Sequence, residues 1–251
     1  MHCISLKKNS AAFLNLCFKI KLLSKGVLFA LALTLFAPDV LGANPISLPK
    51  KSVPAFTFRD LSPPYKNYDY FQNSRWVPFE YGASSFSLVN AWWLAEASTL
   101  VYAVEDYVRP RLIKAGLNRV VFFNQSSTQC FIASNSRFAI VVFRGSEIWK
   151  RNERFDPHQM IADFKTNIDI RLSDWIQGGK VHSGFRTALD SVWDDMLPEI
   201  KHLRDQRIPI WMTGHSLGAA LATLAADRLP NVQGLYTFGS PRVGDQEFQK
   251  M

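Results

Sequence analysis

Apolar residues recur mostly at steps of three and four through HSGFRTALDSVWDDMLPEIKHLRDQ (182–206). Phe185, Leu189, Val192, Trp193, Met196, Ile200 and Leu203 fall on one side, with Arg186, Asp190, Asp194, Asp195 and Lys201 opposite. That period predicts an amphipathic helix, and Pro198 within it implies a kink or a break. A second run, SSFSLVNAWWLAEASTLVYA (84–103), lacks Gly and Pro and is apolar around most of its circumference. It predicts a long buried helix capped by Ser84 or Ser85. A short helix is expected through RPRLIKAG (109–116), with Pro110 in its first turn and Gly116 at its end.

Between and after these helices the pattern changes to short β-branched and aromatic runs bounded by polar turns. RVVFFN (119–124), TQCFIAS (128–134) and FAIVVFRG (138–145) predict three strands. The last is almost continuously apolar, as in a central strand covered on both faces. IPIWMT (208–213) predicts a further buried strand, LGAALATLAADRL (217–229) a helix and GLYTFGS (234–240) one more strand. A strand–helix–strand–helix–strand order implies parallel pairing with right-handed crossovers, hence an α/β fold.

The N-terminal part reads differently. Basic residues end at Lys25, GVLFALALTLFA (26–37) is an uninterrupted apolar core, and Gly42 and Ala43 supply small residues after it. This is the layout of a signal peptide cleaved near residue 42 or 43, so residues 1–43 are expected to be removed on export to a secreted or periplasmic location. An uncleaved anchor is the alternative, although a core of about a dozen residues is short for a bilayer span. Residues 44–82 hold six of the 13 prolines and many aromatics, predicting an extended arm packed across the domain formed by residues 83–251.

Composition narrows the classes. The net charge of +8 over 251 residues is inflated by five lysines in the first 43; residues 44–251 hold 24 basic and 20 acidic groups. No block of Lys and Arg can neutralise a phosphate track, so no nucleic-acid partner is expected. Cys130 alone lies outside the leader and reads as a buried, inert thiol in a strand. No His/Cys/Asp cluster has metal-ligand spacing and G-x-G-x-x-G is absent, so no metal and no cofactor are expected.

The chemistry concentrates at Gly214-His215-Ser216-Leu217-Gly218, set between an apolar strand and an alanine-rich helix. A nucleophilic serine needs such a sharp turn to expose its hydroxyl. Glycines on either side remove side chains that would collide, and the helix N-terminus offers free N–H groups to an oxyanion. Ser216 is therefore the candidate nucleophile and the Leu217 N–H a candidate oxyanion donor.

Four motifs occur together in order: VVFRGSE, KVHSGF, GHSLGAAL and LYTFGSPRVGD. With them the chain from about Phe86 onward resembles the class 3 lipases, fungal-lipase-like α/β hydrolases, and NAWWLAEAS resembles the opening helix of exported bacterial members. The resemblance implies an α/β-hydrolase fold with a mostly parallel central sheet and helices on both faces. It implies a serine hydrolase of carboxylic esters, often triacylglycerols, working on an ester or lipid substrate at a lipid–water interface. It also implies that Ser146 supplies the second oxyanion donor and that residues 147–161 form a lid.

The partners of Ser216 are harder to find. α/β hydrolases run Ser, then Asp or Glu, then His. After Ser216 come Asp227, Asp245 and Glu247, and no histidine. Asp227 is expected to face solvent, well down the helix; Asp245 precedes the position that the family's acid takes. Of His2, His158, His182, His202 and His215, the last should point away from the serine, and His182 belongs to the family pattern as a structural residue. The catalytic Asp and His are thus expected to be absent from these 251 residues, which alone should have little esterase activity and an uncovered sheet edge. The rival expectation is a non-catalytic relative that binds a lipid surface.

Overall fold

The computed structural model describes residues 2–5, 68–125, 128–145 and 171–250. The apolar core of the expected signal peptide, the arm before residue 68, Ser146, and the expected lid with His158 lie outside the described residues.

Eight strands are described: β1 (His2–Ser5), β2 (Arg119–Gln125), β3 (Thr128–Ser134), β4 (Ala139–Phe143), β5 (Leu172–Asp174), β6 (Lys180–His182), β7 (Ile210–His215) and β8 (Gly234–Phe238). Five helices accompany them: α1 (Leu88–Leu100), α2 (Glu105–Lys114), α3 (Ser183–Asp205), α4 (Leu217–Arg228) and α5 (Gln246–Lys250). Six strands form one sheet in the order β1-β8-β7-β4-β3-β2, and β5 pairs with β6 in a small hairpin sheet. β4, β7 and β8 are parallel, whereas β2, β3 and β4 form an antiparallel meander and β1 lies antiparallel on β8. The sheet is therefore mixed rather than mostly parallel. The short polar turn 135–137 joins β3 to β4, and so short a link permits only antiparallel pairing. The expected open edge at β8 is occupied by the backbone of His2–Ser5, a strand that cleavage near residue 43 would remove.

Alternation along each strand divides the core. In β4, Ala139, Val141 and Phe143 face a cluster with α3 and α4, while Ile140 and Val142 face a cluster with α1 and α2. A strand buried on both faces has no polar face to show, which explains the unbroken AIVVF. β7 behaves alike: Ile210 and Met212 turn to one side, Trp211 to the other. Helices on both faces of a sheet whose central strands are parallel form the α/β-hydrolase arrangement.

α1 begins later than expected, because Ser87 and not Ser84 or Ser85 is its cap. The Ser87 side chain accepts from the Asn90 N–H at 3.0 Å, and its own N–H donates to the Tyr236 hydroxyl at 2.9 Å, tying the helix start to β8. Two buried polar residues on this apolar helix hold the arm. Asn90 accepts from the Glu80 N–H at 2.8 Å and donates to its carbonyl at 3.0 Å; Glu96 accepts from the Phe71 N–H at 3.0 Å and from the Tyr68 hydroxyl. Trp93 donates to the Val77 carbonyl at 2.8 Å, and Tyr70, Phe71, Val77 and Phe79 are buried there. Residues 68–80 are thus fastened to α1 by these bonds and contacts.

α2 starts at Glu105, so Pro110 sits in its interior and not in its first turn. Its end is as expected: Gly116 at φ 92° follows the cap, with the Gly116 N–H on Ile113 O at 2.9 Å and the Leu117 N–H on Leu112 O at 3.0 Å. α3 runs unbroken through Pro198 to Asp205. Its buried Glu199 accepts two bonds from Arg119 of β2, at 2.7 and 2.6 Å, and this guanidinium holds the Glu199 carboxyl below the usual carboxylate range. Cys130 is buried against Met196, and burial pushes its thiol well up.

Candidate active site

Ser216 occupies the turn between β7 and α4. Its φ of 55° and ψ of −124° lie in a region that a side chain makes costly. The Ser216 N–H donates to Phe238 O of β8 at 2.9 Å, so the strained residue is pinned to the neighbouring strand. Leu217 opens α4, and its N–H has no acceptor within the helix. The two flanking glycines are required by close approach. A Cβ on Gly214 would lie 2.8 Å from Ala219 N, and one on Gly218 would lie 2.8 Å from the Phe143 carbonyl carbon and 2.9 Å from that of Arg144. The second contact matters most: it brings the N-terminus of α4 directly against the end of β4.

The end of β4 is held to this turn from the opposite face of the sheet. Tyr102, just past α1, hydrogen-bonds the His215 Nδ1 at 3.1 Å, and its hydroxyl packs so close to Gly145 that a Cβ there would collide with it. Burial raises the Tyr102 phenol to about 12, so it stays protonated. Partial burial lowers the His215 pKa, although the residue keeps substantial contact with solvent. A neutral imidazole with Nδ1 as acceptor fits both conditions.

Residues 140–251 match the family model described as Lipase (class 3). The chain is 34% identical over 95 residues to a lipase of Rhizopus niveus, covering 33% of this chain and 24% of that protein. It is 35% identical over 125 residues to secreted mono- and diacylglycerol lipase 1 of Fusarium solani, covering 45% and 33%. Over 223 residues it is 27% identical to the chloroplastic galactolipase DONGLE of Arabidopsis thaliana, covering 76% and 46%. The chain thus spans between about a quarter and a half of these relatives' lengths. Among solved structures, the lipase of Rhizopus microsporus var. chinensis aligns with a TM-score of 0.48 at 24% identity, over 64% of this chain and 61% of that one.

The matched segment begins in β4 and contains the whole serine turn. It also contains Asp227 and Asp245, and the geometry gives both of them another task. Asp245 caps α5, accepting from the Phe248 N–H at 2.9 Å, and these backbone bonds lower its pKa. Asp227 is not turned simply to solvent, because Trp175 Nε1 donates to it at 2.6 Å. His182 precedes α3 as its cap residue and meets the Phe185 ring edge-on at 5.4 Å; His202 bonds Gln206 at 2.9 Å. His215 turns to Tyr102, away from the serine as expected. Among the described residues no histidine or carboxylate hydrogen-bonds Ser216. Sequence reasoning passed over Tyr102 and Gly145: they are joined to the turn only through the fold, and Tyr102 lies outside the matched segment.

Proposed function

We propose that this protein is a serine hydrolase of carboxylic esters, with lipid acyl esters as the substrate class. The observation that carries the reading is Ser216 itself, held at φ 55° on a turn that a hydroxyl-bearing residue occupies at a cost. The Ser216 Oγ attacks the ester carbonyl, whose oxygen becomes an oxyanion facing the free N–H of Leu217 and the N–H of Ser146. Collapse expels the alcohol with a proton and leaves an acyl group on Ser216. Water then repeats the sequence and releases the acid. The base that takes the Ser216 proton, and the acid that orients it, come from outside the described residues. The named relatives act on acylglycerols and galactolipids by their descriptions, which favours a lipid ester over a small polar one.

The natural full-length polypeptide, assayed with p-nitrophenyl butyrate and octanoate, is expected to hydrolyse both. Ser216→Ala should lower kcat by at least about 10⁴-fold. Hydrolysis that persists in Ser216→Ala contradicts the reading.

Export belongs to the same reading. Among the described residues, no helix is long and apolar enough to cross a membrane. Cleavage near residue 42 or 43 would take β1 away and free the outer edge of β8. N-terminal sequencing of the exported protein should begin near residue 44; an intact Met1 contradicts cleavage.

A further inference from the structure

We propose that the groove between the C-terminal half of α3 and the far end of α4 binds a single-chain fatty-acid anion, with Arg204 taking the carboxylate. The inference goes beyond the hydrolase reading and does not rest on it.

The groove is built on an exposed leucine. Leu197 is 39% exposed, and the buried Ile200 and Leu229 lie beside it. One exposed leucine is ordinary on a protein surface. Here it borders a cavity of about 330 Å³ that Ile200 and Leu229 floor and that Lys201, Arg204 and Asp205 wall. Steps of three and four place residues 197, 200, 201 and 204 on one face of α3. Leu229, the residue that ends α4, closes the opposite side. A volume at the low end for small-molecule sites admits one alkyl chain and not a two-chain lipid.

The charges select the head group. Lys201 pairs with Asp205 at 2.6 Å, so those two cancel. The Arg204 guanidinium has no ion pair and no hydrogen bond among the described residues, which leaves one uncompensated cation on the wall of an aliphatic groove. A planar guanidinium takes a carboxylate through two parallel N–H···O bonds. The end of α3 does not oppose an anion there, because its last carbonyls are capped. His202 O accepts from the Gln206 N–H at 3.3 Å, Leu203 O from the Ile208 N–H at 3.0 Å and Arg204 O from the Arg207 N–H at 2.9 Å. A helix C-terminus carries about half a negative charge, and the full charge of Arg204 outweighs it.

This groove is remote from the serine. α4 starts at Leu217, beside Ser216, and its 12 residues carry the chain about 18 Å before Leu229. The acid that the proposed hydrolysis releases has the same chemistry, and the groove would hold it well away from Ser216.

The test uses the natural full-length polypeptide. It is titrated with dodecanoate below the micelle concentration by calorimetry, and separately photolabelled with a dodecanoate carrying a diazirine at its tail. The label is expected on the peptides that contain Leu197 to Asp205 or Leu229. From octanoate to dodecanoate each methylene should tighten binding about two- to fourfold. Dodecanol, with the tail and no charge, should bind about tenfold more weakly, and Arg204→Gln should weaken dodecanoate by about the same factor. Leu197→Asp puts a carboxylate at the groove and should abolish the label; a thermal melt shows that each variant is folded. Should Arg204→Gln fail to fold, Leu197→Asp decides. Dodecanoate should bind Ser216→Ala as it binds wild type, so the groove and the hydrolase reading stand or fall separately. A label confined to the serine-turn peptides, unchanged binding in a folded Arg204→Gln, or dodecanol as tight as dodecanoate overturns the proposal. So does binding to phosphatidylglycerol vesicles with none to monomeric dodecanoate, which would make the face a membrane contact.

Discussion

Replacing Ser216 by glycine should make the protein more stable than replacing it by alanine. At most positions the order is the reverse, because glycine gives up about 0.5–1 kcal/mol of extra chain entropy on folding. Here φ is 55° and ψ −124°, where a Cβ costs on the order of 1–3 kcal/mol. Other terms cancel between the variants. The Ser216 side chain makes no capping bond to α4, so neither variant loses one, and the backbone N–H keeps its 2.9 Å bond to Phe238 O in both. Strain relief less the entropy penalty leaves glycine ahead by about 1 kcal/mol. In a domain of this size that corresponds to roughly 2–4 °C in Tm. Urea titrations of Ser216→Ala and Ser216→Gly, followed by tryptophan fluorescence, measure the difference directly at equal slope. A glycine variant that unfolds at or below the alanine midpoint would refute the claim that the serine is held under strain.

Three further outcomes follow from the same geometry. Gly218→Ala drives a methyl into the backbone of Phe143 and Arg144 and should cost about 3 kcal/mol, read from the urea midpoint; a loss under about 0.5 kcal/mol would mean the helix stands further off than described. Glu199→Gln should cost about 1 kcal/mol at neutral pH, since Arg119 is more than half exposed and the pair is partly screened. The Glu199 carboxyl titrates below its unfolded value, so its contribution is complete above the unfolded glutamate pKa and is lost as pH falls through the lowered folded one. The gap between wild type and Glu199→Gln should therefore close in acid. Cys130 should resist a disulfide reagent at pH 8 in the native protein and react at once in denaturant, because its thiol is buried and its pKa raised.

How far the sequence alone reaches can be followed residue by residue. β3, at Thr128–Ser134, coincides with its expected span, and the helix of residues 183–205 with its period, because burial on one side imposes an alternation that composition displays. The serine turn was readable because its glycines answer to local crowding. Helix starts were harder to read. Three serines within four residues precede α1, and the choice of Ser87 is made by Tyr236, 149 residues away. Pro110 could be read as a first-turn proline because nothing local marks Val104 as a start, where no side chain caps the helix. β5 and β6 are three residues each, too short for any period to show. The expectation of a mostly parallel sheet gave too much weight to β4, β7 and β8 and too little to the tight turns around β3. Tyr102 carried no signal at all: a tyrosine after an apolar helix becomes informative only once the fold brings Gly145 and His215 to it.

The most direct test of the central claim is covalent. The natural full-length polypeptide is treated with diethyl p-nitrophenyl phosphate, and its intact mass and peptide map are recorded. Attack by a serine hydroxyl releases nitrophenolate and leaves one diethylphosphoryl group on that residue. The account predicts a single adduct on the peptide carrying Ser216, absent in Ser216→Ala. No adduct on the folded protein, or an adduct on another residue that survives in Ser216→Ala, would contradict it.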